Sequence, residues 1–454
     1  MIARELAAWA LELQDAPHSV RHSAQRHLLD GVGTAVAGVR LAAAVPAVSV
    51  AQELGGPSES TIIGTSIRVS APAAALANGT LVHALDFDDT HAGGLVHATS
   101  VVLPAAFGVG ELVGATGEEI LLASIVGYEA VCRIAAAAPH GFHARGLHAT
   151  MVAGVFSSSL VAARLHGLTL EQTTHALGIA GSQAGGLLAF LATDASTKQL
   201  HPGFASQAGI QAARLAAAGA TGPETVFDGP HGLFDALATG AVDKVSILAG
   251  LGERWETLRI GIKPYPACQL SHASLDALNN ALQQGDFTFD EIEHITAYVH
   301  PDSASIVCDQ SRDLTRPGSE YAAKFSLPWS LAALAIDREM SLETFTSENI
   351  TREEITRLAE RVEIILVPTN GFASDAPGEV HVTLRNGNTV VGTVRRSAGG
   401  PETPLTDEAL FQKFFGNVGS QAQTLRDKLM LLSQQPHLEH IFEEITQTVT
   451  TNSK

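Results

Sequence analysis

Thr116-Gly-Glu-Glu-Ile-Leu-Leu-Ala-Ser-Ile-Val-Gly-Tyr-Glu-Ala-Val-Cys132 decides the fold class of this chain. Thr116 with Glu119 three residues on matches the capping box, in which hydroxyl and carboxylate satisfy backbone N–H groups at a helix start. From Ile120 onward the segment is apolar nearly all round, the pattern of a helix with other helices on every side. The same start signal recurs at Thr169-Leu-Glu-Gln172, and the surrounding chain is rich in Ala, Leu and Gly. Residues 1–265 are therefore expected to form a large all-helical domain.

Beyond Asn280 the texture changes. Ile295–His300 and Val362–Val367 read as strands, and Val380–Leu384 and Thr389–Val394 flank Asn386-Gly387, a strong hairpin signal. Ser326–Ile336 and Ser347–Glu360 read as helices between the first two strands. The reading is a smaller α+β domain over 266–400. After Gly399-Gly400-Pro401 the pattern returns to helix, so 401–454 is expected to supply helices that pack back on the first domain.

At 454 residues the chain is about three times the roughly 150-residue domain prior, which fits this division. Asp and Glu number 47 against 28 Lys and Arg; the net charge of -19 repels phosphate backbones and anionic membrane surfaces, so neither nucleic acid nor membrane is an expected partner. Cys132, Cys268 and Cys308 are scattered and odd in number, giving neither a disulfide framework nor metal-ligand spacing. Charges at Arg4, Glu5, Glu12 and Asp15 interrupt any leader pattern, and Gln172–Thr193, the longest charge-free stretch, reads as buried helix and turn. A cytoplasmic protein is expected.

The chemistry concentrates in His83-Ala-Leu-Asp86-Phe-Asp88-Asp89-Thr90-His91 and the Gly-bearing loop to His97, which place three carboxylates and three imidazoles in fifteen positions of a chain only 17% charged. Ionised groups in apolar surroundings cost several kcal/mol each unless paired, so such a concentration is usually kept for chemistry. A helical Leu81–Asp89 would put His83 and Asp86 on one face. Metal binding, structural capping and acid/base work are the three readings. Without an HExxH, EF-hand or paired CxxC pattern the acid/base reading leads, and neither metal nor cofactor is expected. Three further histidines stand in His140-Gly-Phe-His143-Ala-Arg-Gly-Leu-His148. Lysine is sparse, seven in all and none before Lys198. Lys198 and Lys263 stand in Gly- and Pro-bearing segments that read as loops, where binding groups gather. As loop lysines they are expected to matter little to stability. Phosphate-binding Gly-rich loops and a GxSxG elbow are absent.

As an ordered set these motifs resemble the MmgE/PrpD family of 2-methylcitrate dehydratases, cis-aconitate decarboxylases and an iminodisuccinate epimerase. The resemblance runs through Asn78-Gly79 to Thr90, His97 to Pro104, Gly146 to Thr150, Lys198 to Gly203, Thr221-Gly-Pro223, and Lys263 to Cys268 with His272. It implies a mostly α fold: a helical domain built from both chain ends, with an inserted α+β lid domain. It also implies a homodimer and a cofactor-independent pocket for a small polycarboxylate. Carried over motif by motif, it makes Asp86, His97, His148, Lys198 and Lys263 catalytic and gives Thr90, His201 and His272 to substrate binding. The chain departs from the family at Leu147-His148-Ala149, where several members have Trp-His-Pro, and at His97-Ala98-Thr99, where many have His-Pro-Ser. Phe204 stands where others have an Arg, which removes one carboxylate clamp. Dehydration of a 2-methylcitrate-like hydroxy acid is the leading expectation, with decarboxylation, epimerisation and simple carboxylate binding as alternatives. The lysines would polarise substrate carboxylates, the imidazoles would move protons, and Asp86 would orient a lysine or histidine.

Overall fold

The computed structural model describes residues 1–193, 195–369, 373–419 and 422–452. The chain divides into two compact units, one of residues 1–190, 197–262 and 406–454, the other of 191–196 and 263–405. The fold is mostly α with a smaller α+β part, as the sequence patterns require.

In the first unit the Gly117–Ala136 helix opens on the expected Thr116 capping box, and the Leu170–Gly181 helix opens on that of Thr169. Ile120 through Ala135 are buried on every face, because Gly117–Ala136 is walled by the helices His18–Arg40, Thr99–Val113 and Ala149–Leu165. The Asp407–Val418 helix, from the far end of the chain, packs on His18–Arg40. Two glycines fix the packing that matters most for the site. A Cβ on Gly79 would sit 2.8 Å from the Gly203 backbone, and one on Gly203 would sit 2.3 Å from the Leu76 carbonyl oxygen. Only paired glycines let Ala71–His83 and His201–Ala217 approach so closely, which is the physical reason both occur in the motifs. Among the described residues no single helix is long and apolar enough to cross a membrane.

In the second unit a four-stranded sheet has the order Val362–Leu366, Ile292–Val299, Gly378–Leu384, Thr389–Val394. Its first pair is parallel and the others are antiparallel. Asn386-Gly387 turns the last hairpin, with Gly387 at φ +84°. Val380, Val382 and Leu384 alternate inward under the Gln269–Gln284 helix, the period-two burial of a sheet covered on that face. The Leu327–Asp337 helix starts on a Ser326 cap as expected. Ser347–Glu360 is not one helix: a short 3-10 turn, Asn349–Thr351, gives way at Arg352 to Glu353–Ala359. Asn349 and Thr351 bond their side chains to nearby carbonyls at 2.7 and 2.8 Å, the local competition that breaks a helix.

Candidate active site

The expected helical run through Asp89 does not form. The Ala71–His83 helix stops at His83, and Asp86 takes φ +51°, a left-handed conformation in which Asp and Asn are several-fold enriched. The chain then runs through Thr90–His91, which pairs with Ile260–Gly261, and turns at Gly93-Gly94 to deliver His97 just ahead of the Thr99–Val113 helix. Asp89 closes that turn by accepting from Thr99 N (3.0 Å) and Thr99 Oγ1 (2.5 Å). Burial pushes the Asp89 carboxyl up, but His27, 3.2 Å away, and Thr99 outweigh it, and the group lies below its ordinary range.

Four segments bring the predicted groups of the first unit together. Lys198, in a 3-10 turn over Thr197–Leu200, places Nζ 2.6 Å from Asp86 Oδ1. His83 Nδ1 lies 2.9 and 3.0 Å from the two Asp88 oxygens. His97 Nδ1 is 2.8 Å from the Asp89 carbonyl and 3.2 Å from Thr90 Oγ1, so Thr90 holds an imidazole. His148 stands at the start of the Ala149–Leu165 helix, its Nδ1 3.1 Å from that of His201. The ring centres of His83 and His97 are 4.6 Å apart, and each lies 5.8 Å from that of His148. All of these side chains are buried.

Burial, then the neighbouring His201 and Lys198, hold His148 well below the usual imidazole range. Burial, with His83 and Lys198, brings His201 down to about 4. His143, whose ring centre is 6.2 Å from that of His148, is lowered to about 3 by burial and by His140. Burial thus disfavours the charged form of all three imidazoles.

Lys263 and His272 belong to the second unit. Lys263 is buried, and His272 Nε2 is 3.0 Å from the Ala267 carbonyl oxygen. The expectation that these two lysines matter little to stability does not fit their burial: Lys198 is only 6% exposed and Lys263 only 1%. Gly and Pro mark bends in the chain, and these bends lie inside the protein.

Several supporting contacts escaped the sequence reading. Lys413 Nζ lies 2.7 Å from both the Phe87 carbonyl and Asp30, and 4.0 Å from the centre of the Phe87 ring. Desolvation raises the Asp30 carboxyl to about 6 even beside that ammonium. His91 Nε2 is 3.0 Å from Glu256; burial would raise this carboxyl, yet His91, Arg259 and Arg254 bring it to about 2.

Residues 4–245 match the MmgE/PrpD N-terminal domain and residues 265–433 the MmgE/PrpD C-terminal domain. The chain belongs to the MmgE/PrpD family. It is 28% identical over 455 residues to a cis-aconitate decarboxylase of Aspergillus terreus (strain NIH 2624 / FGSC A1156), covering 94% of this chain and 91% of the relative. It is 26% identical over 426 residues to the cis-aconitate decarboxylase of Mus musculus (90% and 84%) and 29% over 366 residues to that of Homo sapiens (79% and 75%).

Proposed function

We propose that this chain is a cofactor-independent lyase for polycarboxylic acids, and that it decarboxylates an unsaturated substrate such as cis-aconitate. The observation that carries the lyase reading is the buried Lys198–Asp86 pair set beside three imidazoles. The names of the relatives favour decarboxylation over the dehydration expected from the motifs. Loss of carbon dioxide breaks a carbon–carbon bond and leaves its electron pair on carbon. That pair delocalises toward a neighbouring carboxylate until a proton is delivered. Lys198, its ammonium fixed by Asp86, binds and stabilises the carboxylate that accepts the charge. His97 and His148 handle the proton, with Thr90 and the Asp89 carbonyl orienting the first and His201 the second.

Burial disfavours the charged His148 that would deliver this proton. An incoming polyanion offsets the positive field of Lys198 and favours imidazolium, so substrate binding is coupled to proton uptake. Lys263 and His272 enter this reading through the family motifs alone.

The test is incubation of metal-stripped protein with di- and tricarboxylic acids in deuterated water, followed by NMR. Release of carbon dioxide with one deuterium on the product is the expected result. Elimination of water would instead favour the dehydratase reading, and exchange without loss of mass an epimerase. Binding without turnover of any acid would reject the enzyme in favour of a carboxylate-binding protein.

A further inference from the structure

The histidine cluster has the donor set of a metal site. His83, His97 and His148 offer ring nitrogens that all lie within 4.8 Å of one another, with ring centres 4.6, 5.8 and 5.8 Å apart. Three imidazoles on one tetrahedral zinc, with zinc–nitrogen bonds of about 2.0–2.1 Å, have centres about 5 Å apart, so side-chain adjustments of roughly 1 Å suffice. Metal-binding histidines characteristically have the other ring nitrogen held by a carboxylate, a carbonyl or another polar group. Here Asp88 holds Nδ1 of His83, the Asp89 carbonyl that of His97, and His201 that of His148.

A second, independent feature points the same way. His83 is fully buried, and its Nε2 has no hydrogen-bond partner among the described residues. A buried ring nitrogen without a protein partner is available to a ligand. The proposed reaction assigns nothing to His83. The nearby Asp86 and Asp88 are already engaged, by Lys198 and His83 respectively, which leaves the imidazoles as the softer, zinc-suited set.

We infer that the first unit binds one divalent transition ion, zinc or cobalt(II), on His83, His97 and His148, and that this ion inhibits the lyase by occupying imidazoles the reaction needs. The inhibitory half rests on the proposed function, and the binding half stands without it. Three protein ligands leave a fourth position for water or a carboxylate, as in open zinc sites.

The experiment titrates metal-stripped, full-length protein with cobalt(II) alone, reading the visible absorption of four-coordinate cobalt, then displaces it with zinc. One ion per chain is expected. Asp88→Asn, which loosens the orienting contact, should weaken binding tenfold to a hundredfold, and His83→Phe should abolish it. Circular dichroism checks each variant. Should His83→Phe not fold, wild type and Asp88→Asn carry the test. No stoichiometric binding by wild type, or unchanged binding in Asp88→Asn, overturns the site. On the acid found by the NMR screen, zinc should inhibit over the concentration range in which it binds. Activation by zinc, or no effect at saturation, rejects the inhibitory half. Absence of turnover in the metal-free protein counts against the lyase reading and leaves the binding result intact.

Discussion

Replacing Lys198 by Met tests both the site and the burial that overturns the expectation of a small effect on stability. An exposed lysine would contribute about 0–1 kcal/mol to stability. Lys198 is buried 2.6 Å from a fully buried carboxylate, and removing one partner of such a pair leaves an uncompensated charge at a cost of about 3–5 kcal/mol. Asp86→Asn should cost a comparable amount from the other side. Asn is the right probe because it tolerates the left-handed backbone at Asp86, whereas Ala would add strain. The double variant buries no lone charge and should recover most of the loss, so a double-mutant cycle should return a coupling energy of about 4 kcal/mol or more. Turnover should fall by about a hundredfold or more in Lys198→Met, the scale of losing one preorganised donor, and should stay lost in the double variant. The assay pairs urea unfolding, followed by circular dichroism, with kcat on the identified acid. Two single variants within about 0.5 kcal/mol of wild type would refute the burial argument, whatever their activity. Regained turnover in a stable double variant would refute the assigned role.

Gly203→Ala should lower stability by about 1–3 kcal/mol, because its Cβ would meet the Leu76 carbonyl oxygen at 2.3 Å and Thr80 Oγ1 at 2.7 Å; a thermal melt equal to wild type would contradict that packing. His201 at about 4 and His143 at about 3 lie below the unfolded value of about 6.5, so the unfolded chain binds more protons and stability should fall as pH drops from about 6.5 toward 4. Asp30, raised to about 6, opposes this by gaining stability as pH falls through the window from about 6 to 4; Asp30→Asn should therefore steepen the acid loss seen in urea titrations at stepped pH. Turnover should survive exhaustive chelation, and loss on chelation with recovery on adding one metal would make the ion a cofactor. Light scattering should report twice the chain mass at micromolar concentration; exposed Leu41, Val45, Val50 and Leu54 supply apolar surface for such a dimer, and a fully active monomer would contradict it.

What the sequence disclosed was local. Thr116 and Thr169 announce their helices because a capping box is complete within four residues, and Asn386-Gly387 announces its hairpin for the same reason. Burial of Lys198 was hidden, since Gly and Pro report backbone bends and not what surrounds them. Lys413 was hidden by distance: its partners Asp30 and Phe87 lie more than 300 positions away, and nothing in Phe411-Gln-Lys-Phe-Phe415 distinguishes it from an exposed helical lysine. Its one available signal was scarcity, as one of seven lysines in the chain. His83 was visible inside the charged stretch, yet spacing suggested Asp86 as its partner. The helix end at His83 and the left-handed Asp86 give Asp88 to His83 and Asp86 to Lys198.

The Asp407–Val418 helix adds a further contact to the stretch in which these partners lie. The loop over 84–89 holds a left-handed residue and three buried carboxylates, a conformation that persists only where the surroundings over-determine it. Each carboxylate is claimed by a different element: Asp86 by Lys198, Asp88 by His83, and Asp89 by His27 and Thr99. Between them the Phe87 carbonyl receives Lys413, whose ammonium also covers the Phe87 ring and neutralises Asp30. One lysine from the Asp407–Val418 helix thus binds the loop's backbone at Phe87 while Lys198 binds its carboxylate at Asp86. Two cations hold neighbouring residues of one loop, and Lys413 comes from chain that follows the whole α+β unit.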